Sequence, residues 1–257
     1  MTLLQTYEMS VTFGGVRAVN EVNIEVSPGS LVGLIGPNGA GKTSLIDGVT
    51  GFVPSTGRVV FDGNEIGALP AHKRAGLGLG RTWQSLELFD DLTVRENLQV
   101  ATERQRASGF LLDLVAPRRR RSTDAIDFAC DVLGIRNLMV KMPGQLSQGQ
   151  RKLVSAARAL SAGPKLICMD EPAAGLDTLE SAQLGQRLRD IVEADISILL
   201  VDHDMGLVLS VCDFIYVMEF GRKIAEGTPT EIKKNPLVMT AYLGGHAPAS
   251  GDGAGPP

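Results

Sequence analysis

Gly36-Pro37-Asn38-Gly39-Ala40-Gly41-Lys42-Thr43, continued by Ser44, follows an apolar run at residues 31–35 and opens a helical stretch near Lys42. A strand, a glycine-rich turn and a helix N-terminus in that order make a phosphate-binding loop. The triphosphate of a nucleotide carries dense negative charge, which a closely wrapped backbone meets with several N–H groups. Glycines permit the approach, and the helix dipole adds to it. In such a loop Lys42 reaches the β- and γ-phosphates and Thr43 ligates Mg²⁺.

On either side of the loop, alternating or apolar runs at residues 3–13, 22–26 and 58–62 predict further strands, so the first third is β-rich. Thr93-Val94-Arg95-Glu96 has capping-box spacing and predicts a helix to about residue 106, and a second helical pattern covers about 122–133. After Lys165 strands and helices alternate: strand 166–169, helix from Thr178 to about 193, strand 196–201, helix from Asp204, strand 214–218. That alternation is the grammar of a parallel-sheet α/β fold. Thr228-Pro229-Thr230-Glu231 and Asn235-Pro236 predict two short closing helices. The Gly, Ala and Pro tail past Leu243 predicts disorder.

With 257 residues and 44% hydrophobic content, the chain can bury a core of one large domain or of a domain with a smaller subdomain. Its net charge of −4 argues against nucleic acid as the main partner. Cys130, Cys168 and Cys212 are isolated in apolar surroundings, which suits buried thiols in a reducing compartment rather than a disulfide or zinc framework. No apolar run has the length of a spanning helix, and the start has no signal-peptide core. Residues 107–121 join an apolar stretch to Arg118-Arg119-Arg120-Arg121, which reads as a solvated linker, with contact to lipid headgroups or an acidic partner as the alternative.

Leu166-Ile167-Cys168-Met169-Asp170-Glu171 is an apolar strand ending in two carboxylates, in a sheet whose ligands gather at strand carboxyl ends. Asp170 is placed to hold Mg²⁺ through its water shell and Glu171 to orient or deprotonate the attacking water. His203 follows the strand at 196–201 at the same predicted edge, within reach of a γ-phosphate; His72 and His246 have no such setting. Leu146-Ser147-Gln148-Gly149-Gln150 precedes a helix to about residue 161. Ser147 and Gln150 satisfy a capping box by themselves, while Gly149, a poor helix former, points to a ligand approaching the exposed N–H groups.

Residues 36–43, Gln84, 146–150, 166–171, Ala174-Gly175-Leu176-Asp177 and His203, in this order, resemble the ATP-binding subunit of an ABC transporter over about residues 4–243. The resemblance implies an α/β phosphate-loop NTPase with a parallel-sheet core, an antiparallel β subdomain and a helical subdomain. It implies one ATPase domain over 1–243, the helical part inserted at about 85–160, and a disordered tail at 244–257. Phe13-Gly14-Gly15-Val16-Arg17-Ala18-Val19-Asn20, Arg81-Thr82-Trp83-Gln84, Leu88-Phe89, 93–98 and Ala241-Tyr242-Leu243-Gly244 are similar to branched-chain amino-acid importers, most of all to the larger of their two ATPase subunits.

That resemblance implies ATP and Mg²⁺ as ligands and a stack of Phe13 on adenine; a core Phe is the alternative. Gln84 is implied as a contact to Mg²⁺ and the attacking water, and residues 86–89 as the lining of a groove for the membrane subunit. Ser147, Gly149 and Gln150 are implied to complete the site of a facing subunit, with Asp177 at the seam. Gln148 stands where the family usually has Gly, which makes that loop less pliable.

The implied partners are integral-membrane permease subunits, a second ATP-binding subunit (a paralogue or another copy of this chain) and, indirectly, a periplasmic or extracellular substrate-binding protein; nucleic acid is not among them. The implied location is peripheral, on the cytoplasmic face of the cell membrane. Other readings stay open: an ATPase for urea, amides or lipid export, a soluble ABC ATPase acting on nucleic acid or ribosomes, and a small-molecule phosphotransferase.

Overall fold

The computed structural model describes residues 2–82, 88–102 and 119–243, with the side chains of 119–123 and 243 excepted. The expectations for Gln84, for residues 86 and 87, for 103–118 and for the tail with His246 therefore lie outside the described residues.

A sheet of β1 (Leu4–Phe13), β2 (Val16–Val22), β3 (Glu25–Val26), β5 (Thr56–Phe61) and β6 (Asn64–Glu65) is antiparallel throughout. The strand predicted at 22–26 is two strands. Val22 pairs with Met9 and Val26 with Leu4, and between them side chains supplement a main-chain bond from the Thr6 N–H to the Ile24 carbonyl at 3.0 Å. Asn23 Oδ1 accepts the Glu8 N–H at 2.6 Å, while Thr6 Oγ1 accepts the Ile24 N–H and donates to the Val22 carbonyl, both at 3.0 Å. The start of β2 is likewise absent from the sequence reading, because its residues alternate poorly: the burial of Val16–Val22 is mostly exposed or intermediate.

The second sheet has the order β11-β10-β4-β9-β8-β7, built from β4 (Leu31–Ile35), β7 (Leu79–Arg81), β8 (Leu166–Asp170), β9 (Ser197–Val201), β10 (Phe214–Glu219) and β11 (Arg222–Gly227). All its pairs are parallel except β10 with β11. All five residues of β4, β8 and β9 are buried, as a sheet covered on both faces requires. Alternate side chains enter two cores. Val32, Leu34, Cys168, Leu199, Val201 and Met218 meet the antiparallel sheet and α1 (Lys42–Thr50). Ile35, Ile167, Met169, Ile198, Leu200 and Val217 meet the other helices. Cys130, Cys168 and Cys212 are buried free thiols, as expected.

The remaining helices are α2 (Ala71–Gly76), α3 (Val94–Thr102), α4 (Arg119–Leu133), α5 (Gln148–Ser161), α6 (Thr178–Glu193), α7 (Met205–Val211), α8 (Pro229–Lys234) and α9 (Pro236–Leu243). Between β7 and β8, α3 and α4 both pack on α5. α4 starts at Arg119, so the basic run enters a helix rather than ending a linker at 121. Thr93 Oγ1 accepts the Glu96 N–H at 3.3 Å, as the capping-box spacing predicts. Among the described residues no helix is long and apolar enough to cross a membrane.

Candidate active site

Because β4, β8 and β9 run parallel and in register, with Leu34 opposite Val201 and Val201 opposite Asp170, their carboxyl ends lie at one edge. The phosphate loop, the acid pair and His203 leave from that edge. Sequence reasoning placed these three segments together, and the sheet brings them together.

The loop is wedged between two other segments. Gly36 has φ +151°, and a Cβ there would sit 2.1 Å from the Met218 carbonyl oxygen; Gly41 has φ +97°, and its Cβ would sit 2.2 Å from the Ala18 carbonyl oxygen. Both positions exclude any side chain. The Ala40 carbonyl accepts the Gly221 N–H at 3.0 Å, which ties the loop to the β10–β11 turn. Asn38, Gly39 and Thr43 are exposed, and Pro37 and Ser44 are half-buried.

Lys42 is buried and curls over the loop, its ammonium donating to the carbonyls of Gly36 at 2.8 Å and Pro37 at 3.1 Å. Burial lowers its pKa, and the charges of Glu171, Asp170 and Asp202 oppose that shift. Lys42 thus sits within the phosphate loop with three carboxylates near its ammonium.

Asp170 is buried, and among the described residues neither carboxylate oxygen has an aligned hydrogen-bond partner. Burial raises its pKa, while the neighbouring Thr43 hydroxyl and the Arg81 guanidinium pull it down. A buried carboxylate with its oxygens unsatisfied beside a threonine hydroxyl is a donor set that suits a hard divalent cation such as Mg²⁺. Among the described residues no cluster of three or more His, Cys, Asp or Glu side chains forms a metal site.

Glu171 adopts φ +49°, a left-handed conformation that costs a non-glycine residue about 1–3 kcal/mol. Its N–H donates to the Val201 carbonyl at 2.7 Å, which turns the carboxyl group off the strand line toward His203. His203 Nδ1 lies 3.9 Å from Glu171 Oε1, beyond hydrogen-bond range, so the two flank a common space.

Two residues that sequence reasoning missed hold this turn. Asp202, fully buried, accepts the Ala173 N–H at 3.0 Å and the Asp204 N–H at 3.0 Å. Lys152 of α5 donates to the carbonyls of Ala174 and, at 3.4 Å, of Glu171. A signal existed for Asp202, since Leu199-Leu200-Val201-Asp202 repeats the apolar-then-acid pattern of Cys168-Met169-Asp170. Lys152 had none beyond its place in α5.

At the start of α5, Ser147 Oγ accepts the Gln150 N–H at 3.2 Å and Gln150 Oε1 accepts the Ser147 N–H at 3.1 Å, so both side chains are engaged as a cap. A Cβ at Gly149 would find only ordinary contacts, at 3.4 Å to Glu180 and Leu176. Among the described residues no group therefore demands glycine there. The Gln148 amide lies against Gly175, 3.5 Å from where a Cβ would stand. Asp177 caps α6, accepting the Glu180 N–H at 2.8 Å. Phe13, at the end of β1, is 47% exposed, which removes the core alternative.

A family model described as an ABC transporter matches residues 19–174, and one described as a branched-chain amino acid ATP-binding cassette transporter matches residues 222–248. The chain is 40% identical over 249 residues to the high-affinity branched-chain amino acid transport ATP-binding protein BraF of Pseudomonas aeruginosa, covering 94% of this chain and 98% of the relative. It is 37% identical, with the same coverage, to the corresponding protein LivG of Escherichia coli K12. It is 35% identical to the lipopolysaccharide export system ATP-binding protein LptB of the same strain, covering 95% and 98%. Among solved structures, a nucleotide-free ATP-binding cassette from an ABC transporter superposes with a TM-score of 0.82 at 30% identity, covering 94% of this chain and 99% of that one.

Proposed function

The chain belongs to the ABC transporter ATP-binding family, and from that premise we propose that it energises uptake of branched-chain amino acids through separate membrane-spanning subunits. As a member of that family it binds ATP and hydrolyses it. The observation that carries the site assignment is the convergence of Lys42, Asp170, Glu171 and His203 at the carboxyl edge of β4, β8 and β9.

In this reading Gly36, Asn38, Gly39, Ala40, Gly41 and Ser44 wrap the phosphates with backbone N–H groups, Pro37, which has no N–H, shapes the turn, and Lys42 meets the β- and γ-oxygens. Phe13 offers an exposed ring for the base. Mg²⁺, held by Thr43 and Asp170 with Gln84 as a further contact, would neutralise charge on the transferred phosphoryl group. Glu171 orients the attacking water and accepts its proton, and His203 contacts the γ-phosphate from the facing side of the same space.

Ser147, Gly149 and Gln150 of a second ATP-binding subunit, a paralogue or another copy, complete each site, with Asp177 at the seam. Closure around ATP is the stroke, because ATP binds the closed pair better than the open one, and hydrolysis resets it. Leu88, Phe89, Val100, Ala101 and Arg158 line a groove, the Arg158 guanidinium lying 5.9 Å from the Phe89 ring centre. In this reading the groove receives the permease, the chain sits peripherally at the cytoplasmic face of the membrane, and a substrate-binding protein acts from the other side. Residues 1–243 form the ATPase domain, and about 85–160 its helical subdomain.

The 222–248 match favours branched-chain amino acids over the lipid-export reading that the LptB likeness also allows. Glu171→Gln should abolish steady-state hydrolysis while ATP stays bound and the paired subunits stay closed; undiminished hydrolysis overturns the role of Glu171. In proteoliposomes carrying its permease subunits and capture protein, leucine, isoleucine or valine should stimulate hydrolysis. Stimulation by urea or lipid alone overturns the substrate.

A further inference from the structure

Arg81 closes β7, and its side chain is 7% exposed. It reaches several groups at once. Nη1 donates to Asp47 Oδ1 on α1 and, at 3.4 Å, to Thr50 Oγ1; Nη2 lies 3.8 Å from Asp170 Oδ2; and the guanidinium carbon lies 5.5 Å from the Phe52 ring centre. The Asp170 side chain is only 1% exposed. Lys42, the other cation nearby, is turned to the carbonyls of Gly36 and Pro37.

A buried carboxylate needs compensating charge, and a guanidinium at 3.8 Å supplies attraction without taking the oxygen's lone pair in an aligned hydrogen bond. Asp47 anchors the same guanidinium through its other terminal nitrogen, so the group has a hold besides Asp170. A divalent cation arriving at Asp170 meets a like charge that the fold holds in place, and the repulsion subtracts from its affinity.

We propose that Arg81 is a resident counter-cation for Asp170: it compensates the acid when no metal is bound and weakens metal binding when one arrives. Arg81 is a positioning residue, acting through Asp170, and the inference rests on the reading of Asp170 as the metal-side acid. The arrangement makes the site tolerate the metal-free state and release metal readily.

The test is calorimetric titration of the full chain with ADP, once with Mg²⁺ and once with a chelator, reporting the Kd with chelator divided by the Kd with Mg²⁺. Arg81→Gln keeps a donor for Asp47 and removes the charge, and should raise the ratio roughly tenfold or more. Arg81→Lys keeps the charge and should stay near the wild-type ratio. Asp170→Asn should lose most of the metal-dependent gain. If Asp170→Asn keeps that gain, the reading of Asp170 falls and the inference with it. If Asp170→Asn loses the gain but Arg81→Gln matches wild type, the inference alone falls. Should Arg81→Gln fail to fold, Asp47→Asn leaves Arg81 to Asp170 and removes a nearby anion, so the ratio should drop. An unchanged or larger ratio in that variant overturns the inference.

Discussion

Asp202 holds the peptide of Ala173: its Oδ2 accepts the Ala173 N–H at 3.0 Å across two strand ends, and its Oδ1 accepts the Asp204 N–H at the same distance. One buried carboxylate thus fixes the turn that carries Glu171 and the turn that carries His203. Asp202→Ala leaves two buried donors unpaired and should cost about 2–5 kcal/mol of stability, measured by denaturant unfolding. With the Glu171 turn released, hydrolysis should fall on the order of 10²-fold while ATP affinity changes far less. A variant that keeps its kcat shows that the turn is held without Asp202.

Phe13 is half-exposed at a strand end, so removing its ring should leave folding nearly untouched and weaken nucleotide binding. Phe13→Ala should cost about 1–3 kcal/mol of ATP affinity by titration calorimetry, and Phe13→Tyr should restore it. Equal affinities for wild type and Phe13→Ala would move the base elsewhere.

Gly36→Ala has nowhere to put its methyl group, which would overlap the Met218 carbonyl oxygen at 2.1 Å. The variant should unfold more easily by about 1–3 kcal/mol and lose ATP binding together with stability. Gly39→Ala makes a sharper comparison. Its φ of +80° strains the backbone, but no atom stands within 4 Å of the added Cβ, so it should cost less.

Cys168 faces the core shared with the antiparallel sheet, and burial pushes its thiol up to about 12 from an ordinary value of 9.0. Between those values the unfolded chain releases a proton that the folded chain keeps. Stability is therefore unaffected below about pH 9 and declines as pH rises above it, by at most about 1.4 kcal/mol per pH unit. Comparing unfolding midpoints of wild type and Cys168→Ala from pH 8 to 10.5 isolates this contribution. In the native state at pH 8, a thiol reagent should leave Cys168 unmodified, and rapid labelling would contradict its burial.

Much of the site was legible because its signals are local. The run at 31–35, the glycines that follow it and the helix start at Lys42 are contiguous, and each matches the structure. α6 starts at Thr178 behind the Asp177 cap, as the 178–193 pattern predicts, because a capping box is closed within four residues. The strands at 166–170 and 197–201 were visible because a sheet covered on both faces buries every residue of its central strands. Elements that lack such signals were missed. β11 is an edge strand with only Gly227 buried, and β7 is three residues long with Gly80 in the middle.

The amino-acid order by itself determined which segments bind phosphate, which strand ends bear acids and where helices begin, because those properties depend on neighbours a few positions apart. The tertiary structure alone decided how the buried charges are partnered. Arg81 reaches Asp47 across 34 residues, Asp202 reaches Ala173 across 29 and Lys152 reaches Ala174 across 22. Those distances close only when parallel strands and the helices packed on them take their register, so no local pattern could have announced them.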